Sequence, residues 1–164
     1  MLCERCAGEL AAAPRVLEPG PPGIDLAVSA SPFHGVARRL VHGLKFGRRL
    51  ALAAVAAEAM LRVLPPRELS HAPGIEAEPA APAVVPVPAG PWRRRWRGFD
   101  PAEELAIAVS CRAGLRLCDC LRRSSGRRQV GRRRTERLSA PPRVWLDGDA
   151  PAAVLLVDDV WTTG

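Results

Sequence analysis

The feature that most constrains this chain is an uninterrupted apolar run, Ala153 to Val157, that ends in two aspartates. A short apolar run bounded by turn residues is typical of a strand covered on both faces in a parallel sheet. Helical and strand patterns alternate from residue 83 onward. This order predicts the α/β class, with an open and mostly parallel sheet.

Shorter patterns place the other elements. Val36, Leu40 and Leu44 recur at every fourth position, which indicates a helix. Asp100 followed by Pro101 has the residues of an N-cap and a first helical position, and Glu103 stands at the capping-box position. The expected helices are 36–47, 50–64 and 100–113, the expected strands are 83–87, 115–121, 143–146 and 153–157, and 65–83 and 122–139 are expected to be a proline-rich linker and a loop with a partial helix.

The charge of the chain is strongly biased towards arginine. Of the 24 lysines and arginines only Lys45 is a lysine, and the net charge is +7. Twelve of the arginines form two clusters: Arg93, Arg94, Arg95 and Arg97, and then Arg122, Arg123, Arg127, Arg128, Arg132, Arg133, Arg134 and Arg137. Such patches favour an anionic partner, either a polyphosphate or a nucleic acid, and the alternative is a solvated surface.

Membrane insertion is not expected. No apolar stretch follows a basic start at the N-terminus, and the most apolar segment, 50–64, is interrupted by Glu58 and Arg62 and is too short to span a bilayer. We therefore expect a cytoplasmic protein, in which the five cysteines are thiols or metal ligands rather than disulfides.

The residues after the apolar run suit a phosphorylated sugar. In open α/β sheets, ligands bind beyond the carboxyl ends of the strands. Asp158 and Asp159 can accept hydrogen bonds from vicinal sugar hydroxyls, and Thr162, Thr163 and Gly164 can cradle a phosphate. The set fits a ribose that carries a 5′-phosphate. The alternatives are a strand with an acidic turn, or the acidic metal site of another α/β enzyme.

Val154 to Gly164 resembles the motif with which type I phosphoribosyltransferases bind phosphoribosyl pyrophosphate (PRPP). Other segments resemble, in the same order, signatures of the ComF family, whose members belong to that fold. These segments are Phe33-His34-Gly35-Val36, Leu44-Lys45-Phe46, Val85-Pro86-Val87-Pro88, Arg95 to Asp100 (with Asp100 where the family has Asn), Gln129-Val130-Gly131 and Glu136-Arg137.

The resemblance implies a PRPP site and a tie to DNA uptake in competent bacteria. Asp158 and Asp159 would be the catalytic acids and would hold the ribose hydroxyls. Thr162, Thr163 and Gly164 would bind the 5′-phosphate. The resemblance also implies Mg²⁺ on the pyrophosphate. The resemblance does not by itself imply phosphoribosyl transfer. If the family's chemistry occurs, it would be that of a glycosyltransferase: displacement of pyrophosphate from PRPP by a nucleophile.

Arg95 and Arg97 of the first cluster, or alternatively members of the second cluster, are expected to contact pyrophosphate or nucleic acid, because guanidinium groups match phosphate oxygens. A second class of function is therefore a nucleic-acid-binding accessory protein without transferase activity. In that role Trp92, Trp96 and Phe99 would stack on the bases of a single strand. Buried hydrophobic anchors are the alternative role for these rings.

The chain departs from the family at both ends. Members often begin with two CxxC pairs that bind zinc, whereas this chain has only Cys3 and Cys6, half of a four-ligand site, so zinc binding is not expected. We interpret residues 1–30 as a remnant zinc-ribbon-like segment with a connector, and 31–164 as an incomplete phosphoribosyltransferase-like domain. A domain that stops inside its phosphate loop is expected to be poorly stable and inactive as a transferase, and a product without function is the third alternative.

Overall fold

A computed structural model describes residues 2–65, 81–124 and 143–161 of the chain. This part is a mixed α/β structure with five helices and three small open sheets. The helices are α1 (Glu4–Ala11), α2 (Gly35–Lys45), α3 (Ala51–Val63), α4 (Pro91–Arg97) and α5 (Pro101–Ala113). The strands are β1 (Val16–Pro19), β2 (Leu26–Ser29), β3 (Ala83–Pro86), β4 (Leu121–Arg123), β5 (Val144–Leu146) and β6 (Val154–Val157).

The strands pair two by two among the described residues. β3 and β6 are parallel, with Ala83 opposite Val154 and Pro86 opposite Val157. β1 pairs with β2, and β4 with β5, both antiparallel. On its other side β3 meets a single parallel bridge between Val84 and Leu117. The α/β class and the presence of parallel strands in an open sheet are confirmed, but the expectation of a mostly parallel sheet is wrong for the described strands, because two of their three pairs are antiparallel. The strand expected at 115–121 is also wrong, since a regular strand begins only at Leu121.

Strand β6 is only half covered. Val157 is buried, whereas Val154 is 48% and Leu156 41% exposed. The expectation that this run is buried on both faces is therefore wrong for its alternate residues. Burial on both faces, which a continuous apolar run predicts, is found instead at β3, where all four residues are buried. Continuous hydrophobicity predicted a strand at both places, but it did not predict which strand would be the covered one.

The main core lies between β3 and the helices α3 and α5. Val84, Leu105, Val109 and Val157 are almost completely inaccessible, and Leu44 of α2 completes the same cluster. Where α3 and α5 approach each other, the core cluster contains small residues: Ala53 and Ala57 on α3, and Ala106 on α5. Small side chains let helix backbones come close, so this interface is compact and alanine-rich.

The N-terminal helix packs on the start of α2. Leu10 of α1 is buried with Val36 and Leu40 of α2 in a second cluster. The Glu9 carboxylate also accepts a hydrogen bond of 2.9 Å from the backbone N–H of Val36, one of the first N–H groups of α2. A carboxylate at this position caps the helix and complements its dipole. Glu9 therefore performs from another helix the role that a local N-cap residue usually performs.

The three predicted helices are confirmed at α2, α3 and α5. The strand expected at 83–87 is confirmed as β3, and the one expected at 143–146 as β5. Most of the predicted linker and of the basic loop, 66–80 and 125–142, lies outside the described residues. In the part of the chain that the structure describes, no helix is long and apolar enough to cross a membrane.

Replacing Gly35 by alanine should destabilise the protein. Gly35 has a φ of +51°, and a Cβ there would meet the Glu9 carboxylate that caps α2. We expect Gly35→Ala to lower the free energy of unfolding by about 1–2 kcal/mol, from left-handed strain and a weakened cap. Denaturant titration checks this.

Gly8→Ala is the matched control. Gly8 lies inside α1, and a Cβ there meets nothing within 4 Å. Alanine should raise the free energy of unfolding at this position by about 0.5–1 kcal/mol. Equal effects of the two substitutions would contradict the assigned backbone constraint at Gly35.

Candidate functional site

The carboxyl ends of β3 and β6 meet at one edge of the parallel pair. The N–H of Val87 donates a hydrogen bond of 2.9 Å to the carbonyl of Val157, which continues the pairing just past Pro86. The loop that follows β3 and the acidic pair that follows β6 therefore leave the sheet side by side. This is the position at which open α/β sheets bind their ligands.

The two aspartates after β6 have different surroundings. Asp159 Oδ1 lies 2.8 Å from Lys45 Nζ, and the two side chains are only 12% and 22% exposed. Asp158 is an exposed residue, and its Oδ1 accepts a hydrogen bond of 2.7 Å from the backbone N–H of Asp159. Asp159 is thus neutralised by a lysine from α2, while Asp158 faces solvent.

The carboxyl group of Asp158 is electrostatically disfavoured as an anion. Partial burial of the group and, after it, the charge of Asp159 raise the pKa of Asp158 to about 6. The charge of Lys45 acts in the opposite direction. Since the residue as a whole is exposed, water screens part of these interactions, and the pKa of Asp158 is shifted upward. Asp158 therefore changes charge closer to neutrality than an ordinary aspartate.

A cleft of about 150 Å³ opens beside the loop after β3. Its polar lining combines three arginines and three acids, Arg94, Arg122, Arg123, Asp100, Glu103 and Asp119. Arg94 pairs with Glu103 at 3.0 Å, and Arg122 with Asp119 at 3.0 Å. Neighbouring acids therefore hold two of the three guanidinium groups that line the cleft, those of Arg94 and Arg122.

Arg123 connects this cleft with the acidic pair. Burial, followed by the charge of Arg93, lowers the pKa of its guanidinium group, and the charges of Asp158 and Asp100 oppose that shift. Arg123 therefore lies within electrostatic range of both Asp158 and Asp100. The basic cluster that the sequence singled out begins with Arg122 and Arg123, and these two members line the cleft.

Asp100 holds the loop that forms the cleft. It is 5% exposed, and its carboxylate accepts hydrogen bonds from the N–H of Ala102, at 3.1 Å, and of Ala89, at 2.7 Å. The bond to Ala102 is the N-cap predicted for α5. The bond to Ala89 joins the loop after β3 to the start of α5, and no pattern in the sequence near either residue predicted it. The expected capping-box residue, Glu103, instead pairs with Arg94.

Arg95 and Arg97, expected to contact pyrophosphate or nucleic acid, do not line the cleft. Arg95 is exposed on α4. The guanidinium group of Arg97 lies 5.2 Å from the centre of the Phe46 ring, a cation–π geometry. The carbonyl of Arg97 accepts a hydrogen bond of 3.1 Å from Arg48. Arg97 therefore contacts the end of α2, and Arg94 is the member of its cluster that reaches the cleft.

The helix α4 carries two tryptophans on its surface. The rings of Trp92 and Trp96 stack with their centres 6.4 Å apart and their planes 3° from parallel. The residues are 54% and 67% exposed. The alternative of buried anchors is therefore wrong for these two rings, whereas Phe99 is half-buried and packs against the core.

Cys3 and Cys6 lie at the start of α1, with Cys3 at the N-cap position. Hydrogen bonds from the backbone and the side chain of Cys6 lower the pKa of the Cys3 thiol. Among residues 2–65, 81–124 and 143–161, no group of three or more His, Cys, Asp and Glu side chains is placed to hold a metal ion. Thr162, Thr163 and Gly164, the expected phosphate ligands, lie outside the described residues.

We found no match between this chain and a protein-family model, a curated protein or a solved structure.

Substitutions of Asp100 should lower the free energy of unfolding, by an amount that depends on the replacing residue. Asp100→Ala removes the N-cap of α5 and leaves the N–H of Ala89 without its acceptor. We expect a loss of about 2–4 kcal/mol in the free energy of unfolding. Asp100→Asn keeps a capping oxygen but loses one carboxylate acceptor, so it should cost about half as much.

Chemical denaturation of the unmodified chain, Asp100→Asn and Asp100→Ala measures whether their free energies of unfolding decrease in that order. Asp149→Asn is the matched control, because Asp149 is exposed, and it should change the free energy of unfolding by less than about 0.5 kcal/mol. An Asp100→Ala variant as stable as the unmodified chain would show that neither of the two hydrogen bonds to Asp100 contributes to stability.

Proposed function

We propose that this chain is a PRPP-binding protein of the ComF kind, built on a sheet of the type I phosphoribosyltransferase class. The observation that carries the proposal is the acidic pair after β6, which leaves the sheet beside an arginine-lined cleft after the parallel neighbour β3. A phosphoribosyl ligand needs acceptors for its hydroxyls and cations for its phosphates, and this edge supplies both.

The ribose end of the ligand is assigned to the acidic pair. Asp158 is exposed and its carboxylate can accept hydrogen bonds from vicinal hydroxyls. Thr162, Thr163 and Gly164 follow within the same segment, and the resemblance assigns them the 5′-phosphate. An acidic turn without a ligand remains the competing interpretation, and the cleft on the neighbouring strand favours the ligand site.

The pyrophosphate end is assigned to the cleft. Arg94, Arg122 and Arg123 line it, and guanidinium groups form paired hydrogen bonds with phosphate oxygens. Arg123 is the first candidate, because it lies within electrostatic range of Asp158 as well as in the cleft. Arg95 remains available at the surface of α4, and Mg²⁺ would accompany the ligand by neutralising the pyrophosphate.

The chemistry that suits such a site is displacement of pyrophosphate from the ribose by a nucleophile. The ribose carbon becomes electron-poor and the leaving pyrophosphate gains charge, so the protein contributes mainly orientation and charge neutralisation. In this proposal Asp158 would face the ribose, and the arginines that line the cleft would face the leaving pyrophosphate. By the family resemblance, we propose a cytoplasmic role linked to DNA uptake.

Calorimetry of this chain with PRPP and Mg²⁺ tests the proposal. We expect saturable binding that weakens at least about tenfold in Asp158→Asn, since a hydrogen bond to a charged group contributes about 1.5–3 kcal/mol. Asp149→Asn, which removes an equal charge at an exposed position in the preceding turn, should bind as the unmodified chain does.

The dependence of PRPP affinity on pH provides a second test of the role of Asp158. Since the pKa of Asp158 is raised to about 6, affinity should be constant above that pH and fall as the pH decreases through it. The stability of the folded protein should depend on pH in the opposite direction. The folded state holds the Asp158 proton more tightly than the unfolded state, whose pKa is near 3.8, so stability decreases as the pH rises through this window. Asp158→Asn should therefore bind less without being less stable at neutral pH. A folded chain without any affinity for PRPP would overturn the proposal.

Nucleic-acid binding is the second candidate, favoured by the exposed stack of Trp92 and Trp96 among the arginines of α4. Bases stack on such rings, and arginines contact the phosphates. Trp96→Ala should weaken binding of a single-stranded oligonucleotide by roughly tenfold, and the affinity should fall steeply with salt. Trp145→Ala is the control, because Trp145 is 50% exposed on β5, outside this helix. Equal losses in fluorescence-anisotropy titrations of both variants would contradict a role for α4.

A further inference from the structure

The two aspartates after β6 are not equivalent, and the difference originates in α2. We propose that Lys45 is a positioning residue: it holds Asp159 against the end of α2 and leaves Asp158 as the carboxylate that contacts the ribose hydroxyls. This inference rests on the proposed function and assigns separate roles within the acidic pair.

The ion pair is built as an anchor. Lys45 Nζ and Asp159 Oδ1 are 2.8 Å apart, and both side chains are largely shielded from water. Shielded pairs are screened less by solvent and salt than exposed pairs, which often contribute nothing measurable. Lys45 is also the last residue of α2, where a cation is favoured by the helix dipole.

The backbones on both sides of this pair are fixed. Leu44, directly before Lys45, is 2% exposed and lies in the same core cluster as Val157, which directly precedes the acidic pair and is also 2% exposed. At its other end α2 is capped by Glu9. The ammonium group and the Asp159 carboxylate therefore project from two anchored positions, so little side-chain freedom remains to be lost when a ligand binds.

Asp158 is the carboxylate that faces the proposed ligand. Among the described residues, four charged groups act on its carboxyl: Asp159 in its own segment, Lys45 from α2, Asp100 at the start of α5, and Arg123 on β4. Of these, Lys45 and Arg123 favour the ionised carboxylate, and the two acids disfavour it. Without the charge of Lys45 the two adjacent carboxylates would lose a cation, and Asp158 would hold its proton to higher pH.

Four variants test the division of roles by calorimetry with PRPP and Mg²⁺. Lys45→Met and Asp159→Asn should each weaken binding by roughly tenfold, and the double variant should be no weaker than either single variant, because the residues act as one unit. Lys45→Arg keeps the charge and should bind within about threefold of the unmodified chain. Additive losses in the double variant would overturn the proposal.

The pH profile separates positioning from a merely structural role. In Lys45→Met the pH at which affinity falls should move upward relative to the unmodified chain, whereas a general loosening of the fold would lower affinity at every pH. Carbon-13 NMR of the labelled aspartate carboxyls gives the same answer without ligand, since the titration of Asp158 should move in the same direction. An unchanged titration in folded Lys45→Met would overturn the proposal.

A third measurement uses the fact that Lys45 is the sole lysine of the chain. Amine acylation followed by mass spectrometry reports on this side chain and, separately, on the N-terminus. Asp159→Asn should speed the acylation of Lys45, whereas Asp158→Asn should change it less, and equal rates in all three proteins would overturn the ion pair. If the unmodified chain binds no PRPP while acylation and NMR behave as expected, the proposed function and the ribose role of Asp158 fail, and the anchoring of Asp159 stands. If acylation and NMR fail while PRPP binds, only the role of Lys45 fails.

Discussion

The parallel pairing of β3 with β6 is the interaction on which the rest of the described structure depends. It gives α3 and α5 a buried surface to cover, since every residue of β3 is inaccessible. It also sets the register that makes two distant segments end at the same edge. The acids that follow β6 and the loop that follows β3 become neighbours only because of this register. The candidate site is thus a direct product of strand pairing.

Charge at that edge is balanced locally. Lys45 neutralises Asp159, Glu103 holds Arg94, and Asp119 holds Arg122. A binding site built from such pairs positions its side chains before any ligand arrives, which lowers the entropic cost of association. The same arrangement means that an anionic ligand must compete with carboxylates for the arginines. Binding at this edge would then be an exchange of partners, with selectivity for anions that offer several oxygens at once.

Local signals in the sequence predicted much of this fold. The spacing of Val36, Leu40 and Leu44 and the start signal at Asp100 located α2 and α5, because helix periodicity and capping depend on residues close in the chain. The apolar runs located β3 and β6. The same runs could not show that β6 has one exposed face, because burial depends on which elements pack against a strand.

The site was predictable to a lesser degree. The position of Asp158 and Asp159 after a strand followed from the apolar run, whereas their unequal environments depend on Lys45, which is distant in the chain. The contact between Asp100 and Ala89 and the presence of Arg94 and Arg123 in the cleft likewise arise from the folding of separate segments. Residue type and spacing suggested the chemistry, and only the fold could choose which arginines would lie beside the acids.

The alanine-rich contact between α3 and α5 has a consequence for how this protein can change. Ala57 and Ala106 are completely buried, and neither has a side chain that could be shortened to much effect. Truncating substitutions, the usual damage to a core, have little to remove here, whereas any larger residue would force the two helices apart and strain the sheet beneath them. Tolerance to mutation is therefore asymmetric in this domain. At Ala57 and Ala106 the helix interface therefore accepts only the smallest side chains.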